Sequence, residues 1–319
     1  IRPGMEERIV MSGKVVVVGS FVVGITVRLP RFPLPGETLP ADAFDSGPGG
    51  KGTNVAVGVT RLGGEVDLIV KIGSDDFGLN AERLFVQEGI RIDHVFRSET
   101  ESTGVGLVYI DGGNGENTIG LHLGANLALT EAEVVSALET SQDATVLTAQ
   151  LEVRDEVVEA ALDVAANKEL IRLLNPAPAR ELSRKILRKT NVITPNRVEL
   201  FQLLGRDVPA APDDRAIAKA ASELIQLGPS TVVVTLGSQG AYVLDAIHGE
   251  VWLEPLMTEP VDTVGAGDAF NAGLAWGLAV GKDVIAAARI GTVCGALATR
   301  KMGVINALPF LSDVEEQLQ

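Results

Sequence analysis

The sequence predicts an α/β fold in which a parallel β-sheet is covered by helices on both faces, giving three layers. Three observations predict it. Short β-branched runs alternate with amphipathic segments through nearly all of the 319 residues. An apolar content of 46% against 22% charged residues describes a globular chain with ample core. No linker, repeat or low-complexity tract divides the chain, so residues 14–319 are expected to form a single domain.

The first strand is read over residues 15–18, where four consecutive valines suit a position buried on both sides. Residues 25–44 then break the alternation, because Pro30, Pro33, Pro35 and Pro40 permit only extended runs. Helical spacing follows at 53–62, a buried strand at 66–72 and a helix at 76–88. A second break covers 103–123, with strand-like runs at 105–110 and 118–123 around Asp111-Gly112-Gly113-Asn114-Gly115, a hairpin signal. The two breaks, 22–46 and 103–123, are expected to pair into a small β-sheet. Such a sheet would serve as a lid over a ligand site, as a dimer-forming surface, or as both. Strands at 144–149, 171–175, 192–194 and 231–235 then alternate with helices at 154–167, 183–189 and 213–227. Residues 265–299 read as two helices broken near Gly281 and packed on the sheet's end. In such sheets ligands bind beyond the carboxyl ends of the strands.

Charge and composition exclude several roles. A net charge of −15 leaves no basic stripe for a nucleic acid and disfavours an anionic membrane surface. No apolar run reaches the length of a membrane span and no signal peptide is visible, so cytoplasmic residence is expected. The single cysteine, Cys294, forbids an internal disulfide and reads as a small buried hydrophobe. His94, His122 and His248 are scattered without metal-ligand spacing. Residues 1–4 do not read as a natural start, and Met5 or Met11 is the expected initiator.

The most informative stretch is Asp262-Thr263-Val264-Gly265-Ala266-Gly267-Asp268, which opens a long apolar helical run. Small residues at 265–267 leave three successive N–H groups uncovered at a helix start, where the dipole also favours an anion. Asp268 makes no sense as an anion ligand but does as a base beside an anion that is being stabilised. That pairing suits phosphoryl transfer. A glycine-rich turn with a helix-capping Asp accounts equally well for these residues taken alone.

Three further segments carry possible chemistry. In 47–54, four glycines precede a helix whose first turn holds Asn54, able to bridge two hydroxyls; a plain glycine turn is the alternative. Asn196 and Glu199 share one side of a helix start and offer oxygen ligands for hydrated Mg²⁺, or form a capping pair. The small residues of 235–240 suit either a nucleotide or a hairpin turn, and Asn175-Pro176-Ala177-Pro178 reads as a rigid exit loop.

Taken together, Gly49-Gly50-Lys51-Gly52-Thr53-Asn54 and Asp262-Thr263-Val264-Gly265-Ala266-Gly267-Asp268 resemble the ribokinase family of carbohydrate kinases. Pro35-Gly36-Glu37-Thr38, Gly124-Ala125-Asn126 and the segment 175–182 are similar to that family as well. The resemblance implies a Rossmann-like core with a small β lid, and transfer of a phosphoryl group from Mg-ATP to a sugar's primary hydroxyl. It implies Asp268 as base and the amides of Gly265, Ala266 and Gly267 as anion hole. Gly50, Lys51, Asn54 and Glu152 would contact the sugar. Thr235, Gly237 and Gly240 would line the nucleotide, joined by Asn196, which with Glu199 would position Mg²⁺. Asp262, Val264, Gly303 and Asn306 would border a K⁺ site, although the loop 303–306 is spaced one residue differently from the family pattern. A homodimer through the lid is implied by analogy.

One departure bears on the substrate. After the first strand the family carries an Asn and, two residues on, an Asp, which hold ring hydroxyls; here those positions are Val22 and Gly24. A pocket without these partners loses selectivity for a hydroxylated ring. Ribose is therefore not the expected favourite. Another sugar or a nucleoside is the alternative acceptor, and a non-catalytic sugar-binding protein of the same fold is the rival from outside the enzymes.

Overall fold

β1 (Lys14–Val18) carries four valines that are almost wholly buried, because it lies in the middle of a wide sheet with parallel neighbours on either side. The computed structural model describes residues 13–209 and 212–318; Met5, Met11 and the leading residues 1–4 lie outside them. After β1 come β2 (Val22–Leu29), β3 (Ala43–Gly49), α1 (Lys51–Arg61), β4 (Glu65–Gly73), α2 (Asp76–Gln87) and β5 (Val95–Ser98). The middle of the chain holds β6 (Gly104–Asp111), β7 (Asn117–His122), α3 (Glu131–Thr140), β8 (Val146–Ala149), α4 (Asp155–Asn167), β9 (Ile171–Leu174) and α5 (Arg184–Lys189). β10 (Val192–Ile193), α6 (Arg197–Leu203), α7 (Asp214–Ile225), β11 (Thr231–Thr235), β12 (Ala241–Asp245) and β13 (Gly249–Leu253) follow. The last helices are α8 (Ala266–Ala279), α9 (Val284–Ala298) and α10 (Leu311–Leu318).

The main sheet has nine strands in the order β13-β12-β11-β10-β9-β8-β1-β4-β5. It is parallel except for the antiparallel edge β11-β12-β13. Alternation along each strand sends side chains to two cores. Val15 and Val17 join residues of α1, α2, α8 and α9 on one face; Val16 and Val18 join α3, α4, α5 and α7 on the other. The expected three layers are present.

Some elements differ from expectation. α8 and α9 do not cap the sheet's end but cover one face beside α1, because both are apolar around most of their circumference. Their close packing needs Gly273, where a β-carbon would lie 2.8 Å from Cys294 Sγ and 3.0 Å from Gly291. Cys294 is buried, as expected, and burial pushes its thiol up to about 12. The antiparallel pair β12-β13 and helix α3 went unread, although Thr130 and Glu133 carry a complete capping box.

The two proline- and glycine-marked segments do pair. A second sheet runs β3-β2-β6-β7, with β2 parallel to β6 from Val22↔Gly104 to Leu29↔Asp111. The prolines at 30–40 occupy the connection between β2 and β3 rather than the strands, and Pro48 sits on the edge strand β3, where no ladder donor is needed.

Candidate active site

Gly50 is the pivot between the small sheet and α1. It sits at φ 96°, and a β-carbon there would come within 2.8 Å of Ser20 O and Val22 N. The backbone thus lies directly on the exit of β1. Ser20 and Glu152 are buried beneath it: Ser20 Oγ donates to Glu152 Oε2 at 2.5 Å, and the Lys51 amide donates to the same oxygen at 3.0 Å. Glu152 therefore braces the first turn of α1.

The second motif forms a turn into α8. Gly265 caps the helix in the left-handed conformation at φ 80°. Ala266 N–H turns back to the Thr263 carbonyl at 3.3 Å, so it closes the turn instead of standing uncovered as expected. Among the described residues, the amides of Gly265, Gly267 and Asp268 have no protein acceptor. A β-carbon on Gly267 would meet nothing within 4 Å, so this backbone is open to a ligand. Asn271, one turn on, ties Gly267 O and Thr194 Oγ1 at 2.8 and 2.7 Å. Its structural part was not read from the sequence, although it stands in the same motif.

The two motifs meet at Asp268, which is buried. Asn54 Nδ2 donates to Asp268 Oδ2 at 2.7 Å, and Lys51 Nζ lies 4.0 Å from Oδ1. The Asp268 carboxylate holds the Lys51 ammonium above its ordinary pKa, against burial, with Glu152 and Glu199 adding to the effect. Asn54, expected at a substrate, spends one donor on the carboxylate, while its Oδ1 is buried without a partner.

Across a cavity of about 190 Å³ from Asp268 stands the start of α6. Asn196 and Glu199 form a reciprocal capping box, so the helix-start reading holds; the second carboxylate oxygen of Glu199 is left for other partners. Burial raises the Glu199 pKa, with Asp268 adding and Asn196 and Lys51 opposing. Asn175, read only as part of an exit loop, lines the same cavity. Thr235 and Gly267 border both this cavity and a larger, mainly apolar one of about 320 Å³, which Gly237 and Gly240 also line. The 236–240 segment is the turn that joins β11 to β12, as the hairpin reading expects.

Asp262 Oδ1 accepts from Val264 N at 3.0 Å and Oδ2 from Gly303 N at 3.1 Å, which brings those three residues together. Asn306 is exposed, and no hydrogen bond joins it to them. Among the described residues no three His, Cys, Asp or Glu side chains assemble as a metal cluster. Val22 and Gly24 share one face of β2, opposite Gly49 and Gly47 of β3, and Gly49 directly precedes the Gly50 pivot.

Comparison with known proteins agrees with this architecture. Residues 12–311 match the pfkB family of carbohydrate kinases. A ribokinase of Haemophilus influenzae is 34% identical over 309 residues, 97% of this chain and 99% of that protein. A deoxyribokinase of Salmonella typhimurium is 33% identical over 305 residues, 95% and 98% of the two chains. The solved structure of an Arabidopsis thaliana ribokinase complexed with ribose and ATP superposes with a TM-score of 0.89 at 25% identity, covering 97% and 99%. With two glycine-rich motifs converging on one buried aspartate and a family match over nearly the whole length, this chain belongs to the pfkB family of carbohydrate kinases.

Proposed function

We propose that this protein transfers the γ-phosphoryl group of ATP to the primary hydroxyl of a small sugar, and that ribose is not its favoured substrate. The observation that carries the reading is Asp268, gripped by Asn54 and facing Lys51, beside open amides in a cavity that adjoins a larger apolar one. The apolar cavity suits a nucleotide base, with Thr235, Gly237 and Gly240 along the phosphate side. Gly50, Lys51, Asn54 and Glu152 frame the sugar.

The hydroxyl oxygen attacks the γ-phosphorus as its proton passes to Asp268; the new O–P bond forms while the bond to the β-phosphate oxygen breaks and ADP leaves. Charge developing on the transferred group meets the Gly265 and Gly267 amides and the dipole of α8. Ala266 joins them only by releasing its bond to Thr263. The Lys51 ammonium, 4.0 Å from the carboxylate, faces the base across the site.

The donor set at Glu199 and Asn196 is oxygen only, and a buried carboxylate gains from an adjacent cation, which fits hydrated Mg²⁺. When bound, Mg²⁺ offsets the charge on the β- and γ-phosphates. The Asp262 carboxylate, held by the amides of Val264 and Gly303, and the carbonyl oxygens of those two residues would supply hard oxygen donors suited to K⁺, with Asn306 at the margin. The small sheet is read as a lid within a single domain spanning 14–319. The edges of that sheet and the exposed Phe44, Ile119 and Leu121 support a homodimer through the lid. An ATP-consuming sugar kinase belongs in the cytoplasm. No helix among the described residues is long and apolar enough to cross a membrane.

The test is ADP release with Mg-ATP and K⁺ over ribose, 2-deoxyribose, fructose, tagatose and adenosine, repeated with Asp268→Asn. One strong responder is expected, with kcat reduced by about 100-fold or more in the variant and ATP binding retained. Retained turnover in Asp268→Asn would remove that residue from the role; silence with every acceptor would favour a non-catalytic binder.

A further inference from the structure

Arg61 takes no part in the chemistry above, yet it is the most fully engaged cation among the described residues. Its side chain, only 10% exposed, ends α1. Nε and NH2 grip Glu88 as a two-pronged pair at 2.9 and 2.6 Å. NH1 donates to the carbonyls of Ile305 and Leu308 at 2.6 and 3.0 Å, and the guanidinium lies 4.9 Å from the centre of the Phe310 ring. Only a planar guanidinium can serve a carboxylate with one edge and two carbonyls with another; an ammonium cannot.

The segment that Arg61 holds is the one that shapes the catalytic turn. Gly303 N binds Asp262, which in turn binds Val264 N. Val304 packs against the α-carbon of Gly265 so closely that a β-carbon there would lie 2.5 Å from Val304 Cγ1. Helix α1 therefore holds the 262–268 turn twice. At its first turn Asn54 grips Asp268 directly; at its last residue, seven residues and about 10 Å further along the axis, Arg61 fixes the segment behind Gly265.

We propose that Arg61 is a positioning residue for phosphoryl transfer: through Ile305 and Leu308 it sets the 303–308 segment, and so the placement of the Gly265 and Gly267 amides. This rests on the reading of the site as a kinase centre. A small displacement of such donors is costly, since about 1 Å of misplacement lowers a rate on the order of 100-fold.

The experiment compares Arg61→Lys with Glu88→Gln in the full chain. Both variants break the Arg61–Glu88 pair and lower Tm, but only Arg61→Lys loses the carbonyl clamp. The expected result is a kcat at least about 10-fold lower for Arg61→Lys with both KM values little changed, because the defect lies in the transition state. Glu88→Gln keeps near-normal kcat below its Tm. Combining Arg61→Lys with Val304→Ala should cost less than the product of the two single losses, since both act through one turn. Equal kcat in Arg61→Lys and wild type, or equal losses in Arg61→Lys and Glu88→Gln, would overturn the proposal. Hydrogen exchange at the bonded amides of Val264 and Ala266 gives a readout independent of turnover. Faster exchange in Arg61→Lys alone supports the positioning role even if no acceptor reacts, an outcome that would count against the kinase reading instead. Unchanged exchange there overturns the role of Arg61.

Discussion

The proposed acceptor preference turns on Gly24. Its backbone needs no unusual conformation, and a β-carbon there would meet only Gly47 O at an ordinary 3.7 Å. Folding therefore does not require the absence of a side chain there. Val22, on the same face of β2, is buried and offers no hydrogen bond. Replacing the pair by Val22→Asn and Gly24→Asp supplies two groups able to hold ring hydroxyls. Because a site built to bind a hydroxyl gains strongly from it, kcat/KM for ribose relative to the best natural acceptor should rise by about 10-fold or more. Competition between the two sugars measures the ratio; an unchanged ratio would separate these positions from acceptor choice.

At the scale of elements, the small sheet is tied to the main one at the root of β6. Asp75, the N-cap of α2, accepts from Thr103 N at 2.8 Å, from Thr103 Oγ1 at 2.7 Å and from Gly78 N at 2.8 Å. Burial by itself would raise the Asp75 pKa, yet these hydrogen bonds outweigh it and hold the carboxyl below its ordinary value. The sign follows. A depressed folded-state pKa adds stability above the unfolded value, near about 3.9, and that stability is lost as the pH falls through the folded-state value. Asp75→Asn should cost about 1 kcal/mol at pH 7, seen as a lower Tm. The difference from wild type should shrink as the pH falls below about 4. A constant difference down to pH 3 would show that the charge on Asp75 is not what holds the strand.

For the whole molecule the open question is what covers the small sheet. β3 and β7 are its edges, and Ile119 and Leu121, on one face of β7, are 60% and 46% exposed. A stable pair of chains buries about 1,200–2,000 Å². Sedimentation at micromolar concentration should give twice the 33.5 kDa of one chain. Ile119→Asp with Leu121→Asp, both on exposed β7, should return the monomer. A wild-type monomer at every concentration would assign the apolar face to another purpose.

The sequence by itself determined the features whose chemistry is local. The valine run of β1, the helical spacing of α2, α4 and α7, and the Gly-Ala-Gly-Asp start of α8 are legible because neighbours in the chain create them. Tertiary structure decided what depends on distant partners. Asn54 and Asp268 stand 214 residues apart and meet through one hydrogen bond, so the grip on Asp268 could not be read from either motif. The loss of the Ala266 amide to its own turn, the layer formed by α8 and α9, and the parallel pairing of β2 with β6 are of the same kind. Spacing reports which face a residue presents, but which surface arrives to meet that face is set only when the whole chain packs.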